Sequence, residues 1–416
     1  MPSEDSYREV LANRSFRLLW LGQGLSDLGR SIIYIAVALY VYDLTGSARE
    51  VALAVTLELL PWVIVGPLVG AMADRLDRKR MLVLGFLFQA GLVALIPFTN
   101  NLTQLYVLLF LSSLSAPVTG LVWTASLPAI LGPRLFVRGY SLDIVIVNTA
   151  FVVGPILGGW LVTVAGARPT FFVVVACLLG AAVLSSRAIV PGPRTQQLAS
   201  LGLSTIRADL ASGLRFLKGN PILRYLLLLS CVATLGWSVP NIAAVAYVTD
   251  DLGLGGGMYG LLRGIVALST AIGVYVLGSH FRILPRQVLL LGGILLAGLT
   301  YVLMLAEPQL LPLMVLWFIG GLGWAAFWLS GESMWAQLVP DEIRGRVFSL
   351  ADAIIHLVEA ATAILGGWLV SVRGPVEAIF IVGASMAVGS ILLSAVSGGY
   401  RAVARLDSAG EPADGE

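Results

Sequence analysis

The chain has 416 residues, of which 58% are hydrophobic and 12% charged, with a formal net charge of +2. Soluble domains carry about 25% charged residues, and a mean hydropathy of +0.90 excludes a soluble globular protein. No basic patch suited to nucleic acid stands out.

In chain order, the first 15 residues are polar and show no signal-peptide pattern. Apolar stretches able to cross a bilayer, which takes about 20 residues each, follow at 16–42, 50–72, 80–98, 104–131, 138–165, 169–190, 221–249, 258–280, 286–306, 309–338, 343–371 and 375–398. The sequence therefore predicts an all-α membrane protein with twelve transmembrane helices. Between the sixth and seventh spans, 191–220 opens Pro191-Gly192-Pro193-Arg194. It continues into an amphipathic stretch with Ile206, Leu210, Leu214 and Leu217 on one face. The expected organisation is a six-helix half over 1–190, a cytoplasmic linker over 191–220, a second half over 221–398 and a disordered tail over 399–416. Cys177 and Cys231 lie within apolar runs and read as core thiols.

The two halves are related. Ile156-Leu157-Gly158-Gly159-Trp160-Leu161-Val162 recurs as Ile364-Leu365-Gly366-Gly367-Trp368-Leu369-Val370, 208 residues later. Arg138, Ser141, Leu142 and Ile146 align with Arg346, Ser349, Leu350 and Ile354, and Asn13 and Arg17 echo Asn220 and Arg224 one step out of frame. A duplicated membrane chain points to a transporter built from two pseudo-symmetric halves.

Basic residues set the expected orientation. With the N-terminus inside, the outer loops hold only Arg49, Arg168 and Arg373, and Arg30 and Arg263 lie within spans. The rest of the 26 basic residues face the cytoplasm. Both termini are thus expected inside. Only Lys79 and Lys218 among the basic residues are lysine, an arginine bias that fits a bacterial source.

Ionisable groups inside a span are costly, which makes each a functional candidate. Asp27 and Arg30 lie in the first span, Glu58 in the second, Arg263 in the eighth, Glu332 in the tenth, and Asp352, His356 and Glu359 in the eleventh. At ~1.5 Å per residue, Arg30 and Glu58 reach a similar depth, so an internal ion pair between them is one expectation. Asp352, His356 and Glu359 follow i, i+4, i+7 and share one helical face, a pattern that suits a proton relay. A structural Asp–His bond is the plainer alternative. One His and two acids also suit a divalent ion, but the chain has only two His in all. Asp27 and Glu58 join the three as proton-coupling candidates.

Trp317, Trp324, Trp328 and Trp335 form a stripe on the tenth span. Interfacial anchoring accounts for Trp335. Trp324 and Trp328 read instead as an aromatic wall for a flat apolar or cationic substrate. Arg30, Tyr34, Trp237, Arg263 and Glu332 complete the candidate cavity.

After the second span comes Gly70-Ala71-Met72-Ala73-Asp74-Arg75-Leu76-Asp77-Arg78-Lys79-Arg80. It resembles the signature loop of the major facilitator superfamily, with Asp77 in place of the commonest Gly, as in the branch of drug, macrolide and siderophore exporters. The resemblance implies a cytoplasmic gate at Asp74 and Arg75, to which Gly70, Arg78, Arg138, Asp143 and Arg346 are added here. The second-half counterpart, Gly278-Ser279-His280-Phe281-Arg282, is degraded. Gly154-Pro155-Ile156-Leu157-Gly158-Gly159 resembles the core of the family's antiporter motif, although Ile146 and Ala150 replace its upstream glycines. Pro155 is expected to bend the span, and Gly154, Gly158 and Gly159 to admit a neighbouring helix.

No phosphate-binding loop and no catalytic constellation occurs. The expected protein is a secondary transporter without cofactor. It exchanges protons for small hydrophobic or amphipathic molecules across a bacterial inner membrane, as a monomer. An uncoupled facilitator or a lysolipid or siderophore exporter of the same fold is the alternative, and a non-transporting sensor a remote one.

Overall fold

A computed structural model describes residues 4–66, 76–190, 203–280, 284–306, 309–340 and 343–410. The described helices are α1 (Glu4–Ala12), α2 (Arg14–Thr45), α3 (Ala48–Ile64), α4 (Arg78–Leu95), α5 (Leu102–Ser113), α6 (Ser115–Ala165), α7 (Ala167–Arg187) and α8 (Leu203–Gly219) in the first part. They continue with α9 (Pro221–Ala246), α10 (Gly256–His280), α11 (Arg286–Val302), α12 (Leu310–Leu338), α13 (Arg344–Arg373), α14 (Pro375–Ser397) and α15 (Gly399–Gly410). Eleven stretches among the described residues are long and apolar enough to cross a membrane. The helix α3, at the second expected span, is described over 17 residues. The twelve-helix architecture read from the sequence agrees with this arrangement.

The fourth and fifth expected spans follow one another across a sharp kink at Gly132, whose φ 65° and ψ 172° are not helical. Such a conformation suits glycine, and Pro133 follows, which offers no amide to the preceding turn. Gly132 is the non-helical residue within this stretch, and Pro155 lies where the helix continues.

The chain divides into two compact units. One comprises 1–45, 54–206 and 255–264; the other comprises 46–53, 207–254 and 265–416. Within the first, α2 packs against α6 and α7, and α4 against the same two helices. Within the second, α9 packs against α13 and α14, and α11 against α12 and α14.

Equivalent sequence positions perform equivalent work. Asn13 accepts from the Phe16 amide at 3.1 Å, capping α2. Asn220 accepts from the Ile222 and Leu223 amides at 3.0 and 3.2 Å, capping α9. An asparagine there satisfies amides that the first turn leaves without helical partners. Four residues on, Arg17 donates to the Leu11 carbonyl and Arg224 to the Lys218 carbonyl, each at 3.0 Å. The spans containing the repeated heptapeptide end alike, at Gly166 and Gly374, both with φ 84° and ψ 166°.

The repeated Gly-Gly pairs are close crossings. A first side-chain carbon at Gly158 would lie 3.2 Å from the Ile32 carbonyl of α2, and one at Gly366 would lie 2.5 Å from Val239 of α9. At Gly159 it would meet Gly256 O at 2.6 Å and Gly260 Cα at 2.9 Å; at Gly367, Ala52 Cβ at 2.5 Å and Ala48 O at 2.9 Å. The next residue in each repeat, Trp160 or Trp368, is more than half exposed, like many apolar side chains of these helices. In a bilayer such surface meets lipid rather than water. Gly159→Val and Gly367→Val are each expected to cost about 1–3 kcal/mol through overpacking, read as a lower apparent Tm of purified protein. An unchanged Tm in both would contradict the close crossings.

Two expectations outside the spans change. Of the tail expected to be disordered over 399–416, Gly399–Gly410 is helical, and 411–416 lie outside the described residues. Val403 is fully buried in the core that also holds Tyr225 and Leu229. In the linker, Ile206 and Leu210 have side chains outside the described residues. Leu217 is buried while Leu214 is 41% exposed, so the face that docks includes Gly213, which abuts the Arg346 carbonyl of α13.

Candidate functional site

Three helices of the second unit present stripes at helical spacing to a common space. From α9 come Ser230, Ala233, Thr234 and Trp237; from α12, Trp324, Trp328, Glu332 and Trp335; from α13, Phe348, Ala351, Asp352, Ile355, His356 and Glu359. They enclose a cavity of about 250 Å³. Every proton-coupling candidate on the eleventh span and four of the seven candidate cavity residues therefore line one site.

Its aromatic wall is locked by packing. Trp324 is 1% exposed and donates its indole N–H to the Tyr301 hydroxyl of α11 at 3.1 Å. Its ring meets Trp237 edge-on at 5.7 Å and Phe327 at 6.0 Å, and Phe327 meets Trp328 at 5.5 Å. Edge-to-face pairs of this kind are worth about 0.5–1.5 kcal/mol beyond buried area. Trp335, expected as an interfacial anchor, is instead buried and packs on Phe348 at 5.8 Å.

The polar side of the cavity is acidic. Glu332 lies within electrostatic reach of Asp352, and the His356 imidazole acts on both Asp352 and Glu359. His356 Nδ1 sits 2.8 Å from the Asp352 backbone carbonyl. That contact is a hydrogen bond when Nδ1 carries the proton, and it leaves Nε2 and the ring charge for the neighbouring carboxylates. Among the described residues, no group of His, Cys, Asp and Glu is placed to hold a metal ion.

The first unit holds a second polar cluster. Asp27, 3% exposed, forms an ion pair with Arg30 and accepts from Gln23 Nε2 at 3.2 and 3.3 Å. The other end of that amide, Gln23 Oε1, is buried without a partner. Asp143 accepts from the Trp123 indole at 2.8 Å and lies within electrostatic reach of Asp27. It thus stands beside this cluster. Arg30 pairs on its own helix, not with Glu58, which among the described residues joins no ion pair or hydrogen bond. Equal depth did not bring the two together, because depth along a helix says nothing of the direction a side chain faces. Arg263 places its guanidinium carbon 5.9 Å from the Tyr34 ring centroid, a cation–π distance.

Of the expected gate residues, Gly70, Asp74 and Arg75 lie outside the described residues. Arg78 donates to the Ala125 carbonyl at 3.0 Å, Arg138 is half-buried and Arg346 exposed. Gly154 abuts Ser31 of α2. Gln23, Trp123, Ser230, Thr234, Tyr301 and Phe348 were not singled out from the sequence. Ser230, Thr234 and Trp237 carry a readable signal, a three-and-four spacing on one face of α9. Trp123 carries none, since its partner Asp143 lies beyond the Gly132 break.

The family model described as Major Facilitator Superfamily matches residues 19–235 and again 226–409. The enterobactin exporter EntS of Escherichia coli is 26% identical over 400 residues, covering 91% of each chain. The uncharacterized MFS-type transporter YfiS of Bacillus subtilis (strain 168) is 24% identical over 365 residues, 84% of this chain and 86% of that one. Among solved structures, a bacterial homologue of the lysosomal transporter Spinster matches with a TM-score of 0.73 at 13% identity, over 99% of this chain and 100% of that one. A bacterial homologue of the iron transporter ferroportin matches with a TM-score of 0.69 at 17% identity, over 92% and 98%.

Proposed function

The chain belongs to the major facilitator superfamily, and on that premise we propose that it is a proton-coupled exporter of small hydrophobic or amphipathic molecules. It works by alternating access in a bacterial inner membrane, as a monomer with both termini in the cytoplasm. The observation that carries the reading is the single cavity that unites an aromatic wall with a titratable face on α13. An antiporter needs a group that takes a proton on one side and yields it on the other, near enough to the substrate for the two to compete. Glu332, Asp352, His356 and Glu359 meet that need in the second unit; in the first, Asp27 and Asp143 are buried acids and Glu58 is half-buried. Export is supported by the enterobactin exporters among the relatives.

The second reading is a siderophore exporter, which the same relatives favour, working here without tight proton coupling. Inverted vesicles carrying the protein and an imposed pH gradient separate the two, with ethidium and the neutral dye N-phenyl-1-naphthylamine as probes. Coupled export predicts gradient-driven accumulation that stops when the gradient is collapsed. Accumulation that persists unchanged contradicts it. Charge-neutral changes at Asp27, Glu58 and His356 then abolish the pH dependence if coupling runs through them.

A further inference from the structure

We propose that the cavity between α9, α12 and α13 selects organic cations with a flat aromatic body, and rejects anions of the same size. The inference rests on reading this cavity as the substrate site and adds the charge class of the substrate.

Three observations carry it. First, the charged groups facing the space are Glu332 from α12 and Asp352, His356 and Glu359 from α13, while α9 contributes only Ser230, Thr234 and Trp237 as polar groups. Among the described lining residues there is no Lys or Arg, so an anion entering meets like charge and no compensating cation. Second, four tryptophans line the same space. Indole faces attract a cation through the ring quadrupole, and more strongly where water is excluded. Trp328, 37% exposed, is the most open of the four, whereas Trp324 is held by Tyr301 and Trp237. Third, the carboxylates are spread along two helices rather than converged, and no described cluster is placed to hold a metal. The geometry thus fits a delocalised organic charge better than a bare divalent ion. A volume of about 250 Å³ lies just below the usual range of ligand sites and suits one or two fused rings.

The test uses purified full-length protein in detergent, in mildly alkaline buffer, titrated calorimetrically with three flat bicyclic probes of matched size. These are 1-methylquinolinium, the neutral 2-naphthamide and the anion 2-naphthoate. The cation is expected to bind at least about tenfold more tightly than the anion, a difference of about 1.4 kcal/mol. The double variant Glu332→Gln/Asp352→Asn should weaken cation binding by about tenfold and leave the neutral probe unaffected. Trp328→Leu should weaken cation and neutral probe alike. Equal or tighter binding of 2-naphthoate, no binding of the cation at millimolar concentration, or a folded double variant with unchanged cation affinity would each overturn the proposal. Should the double variant not fold, the three probes on the unaltered protein decide alone. Loss of cation selectivity with gradient-driven dye transport intact sinks this inference only. Cation binding with no response to a pH gradient sinks the coupled-exporter reading only.

Discussion

Arg30→Met is expected to destabilise the protein by about 1–3 kcal/mol, the usual cost of leaving a buried group without its partner, below the cost for a wholly buried pair because solvent reaches Arg30. The reason is the asymmetry of the pair: the Asp27 side chain is 4% exposed and that of Arg30 38%. Without Arg30, Asp27 keeps only the Gln23 amide and must hold an unpaired charge or take up a proton. Asp27→Asn removes the buried charge while keeping the shape, and should cost much less. The double variant should recover most of what Arg30→Met alone loses, because the coupling lies between the two. Denaturation in mixed micelles reads all three. A stable Arg30→Met protein would show that the cluster around Asp27 is wetter or differently paired than described.

The second large effect lies in α13. Replacing Asp352, His356 and Glu359 together by Asn, Gln and Gln should reduce gradient-driven transport by at least about tenfold, some 1.4 kcal/mol or more in the driven step. Facilitated movement down a substrate gradient should persist. These side chains line a cavity rather than fill a core, so the triple variant should fold, which its elution as a single species would establish. Undiminished gradient-driven transport would remove α13 from the coupling path and leave the acids of the first unit to account for it.

How far the sequence could be read depended on whether a feature was local to one helix. The repeated Gly-Gly pairs, the echo of Asn13 and Arg17 in Asn220 and Arg224, and the common face of Asp352, His356 and Glu359 are helical-period statements. The structure honours each of them. The failures concern azimuth or partners on another helix. Arg30 and Glu58 share a depth but not a direction. Trp123, the partner of Asp143, went unread because it reaches that residue across the Gly132 kink. Trp335 sits where an interfacial anchor is expected, but Phe348 of the next helix covers it. The polar composition of 399–416 hid the apolar side that lets Val403 enter the core.

Vesicles loaded with a pH-sensitive dye, with the membrane potential clamped by potassium and valinomycin, test the central claim most directly. A downhill influx of 1-methylquinolinium or ethidium through the protein should drive protons outward and raise the internal pH. The triple variant of α13 should pass the probe without that rise. Probe entry through the unaltered protein with a constant internal pH would contradict proton exchange.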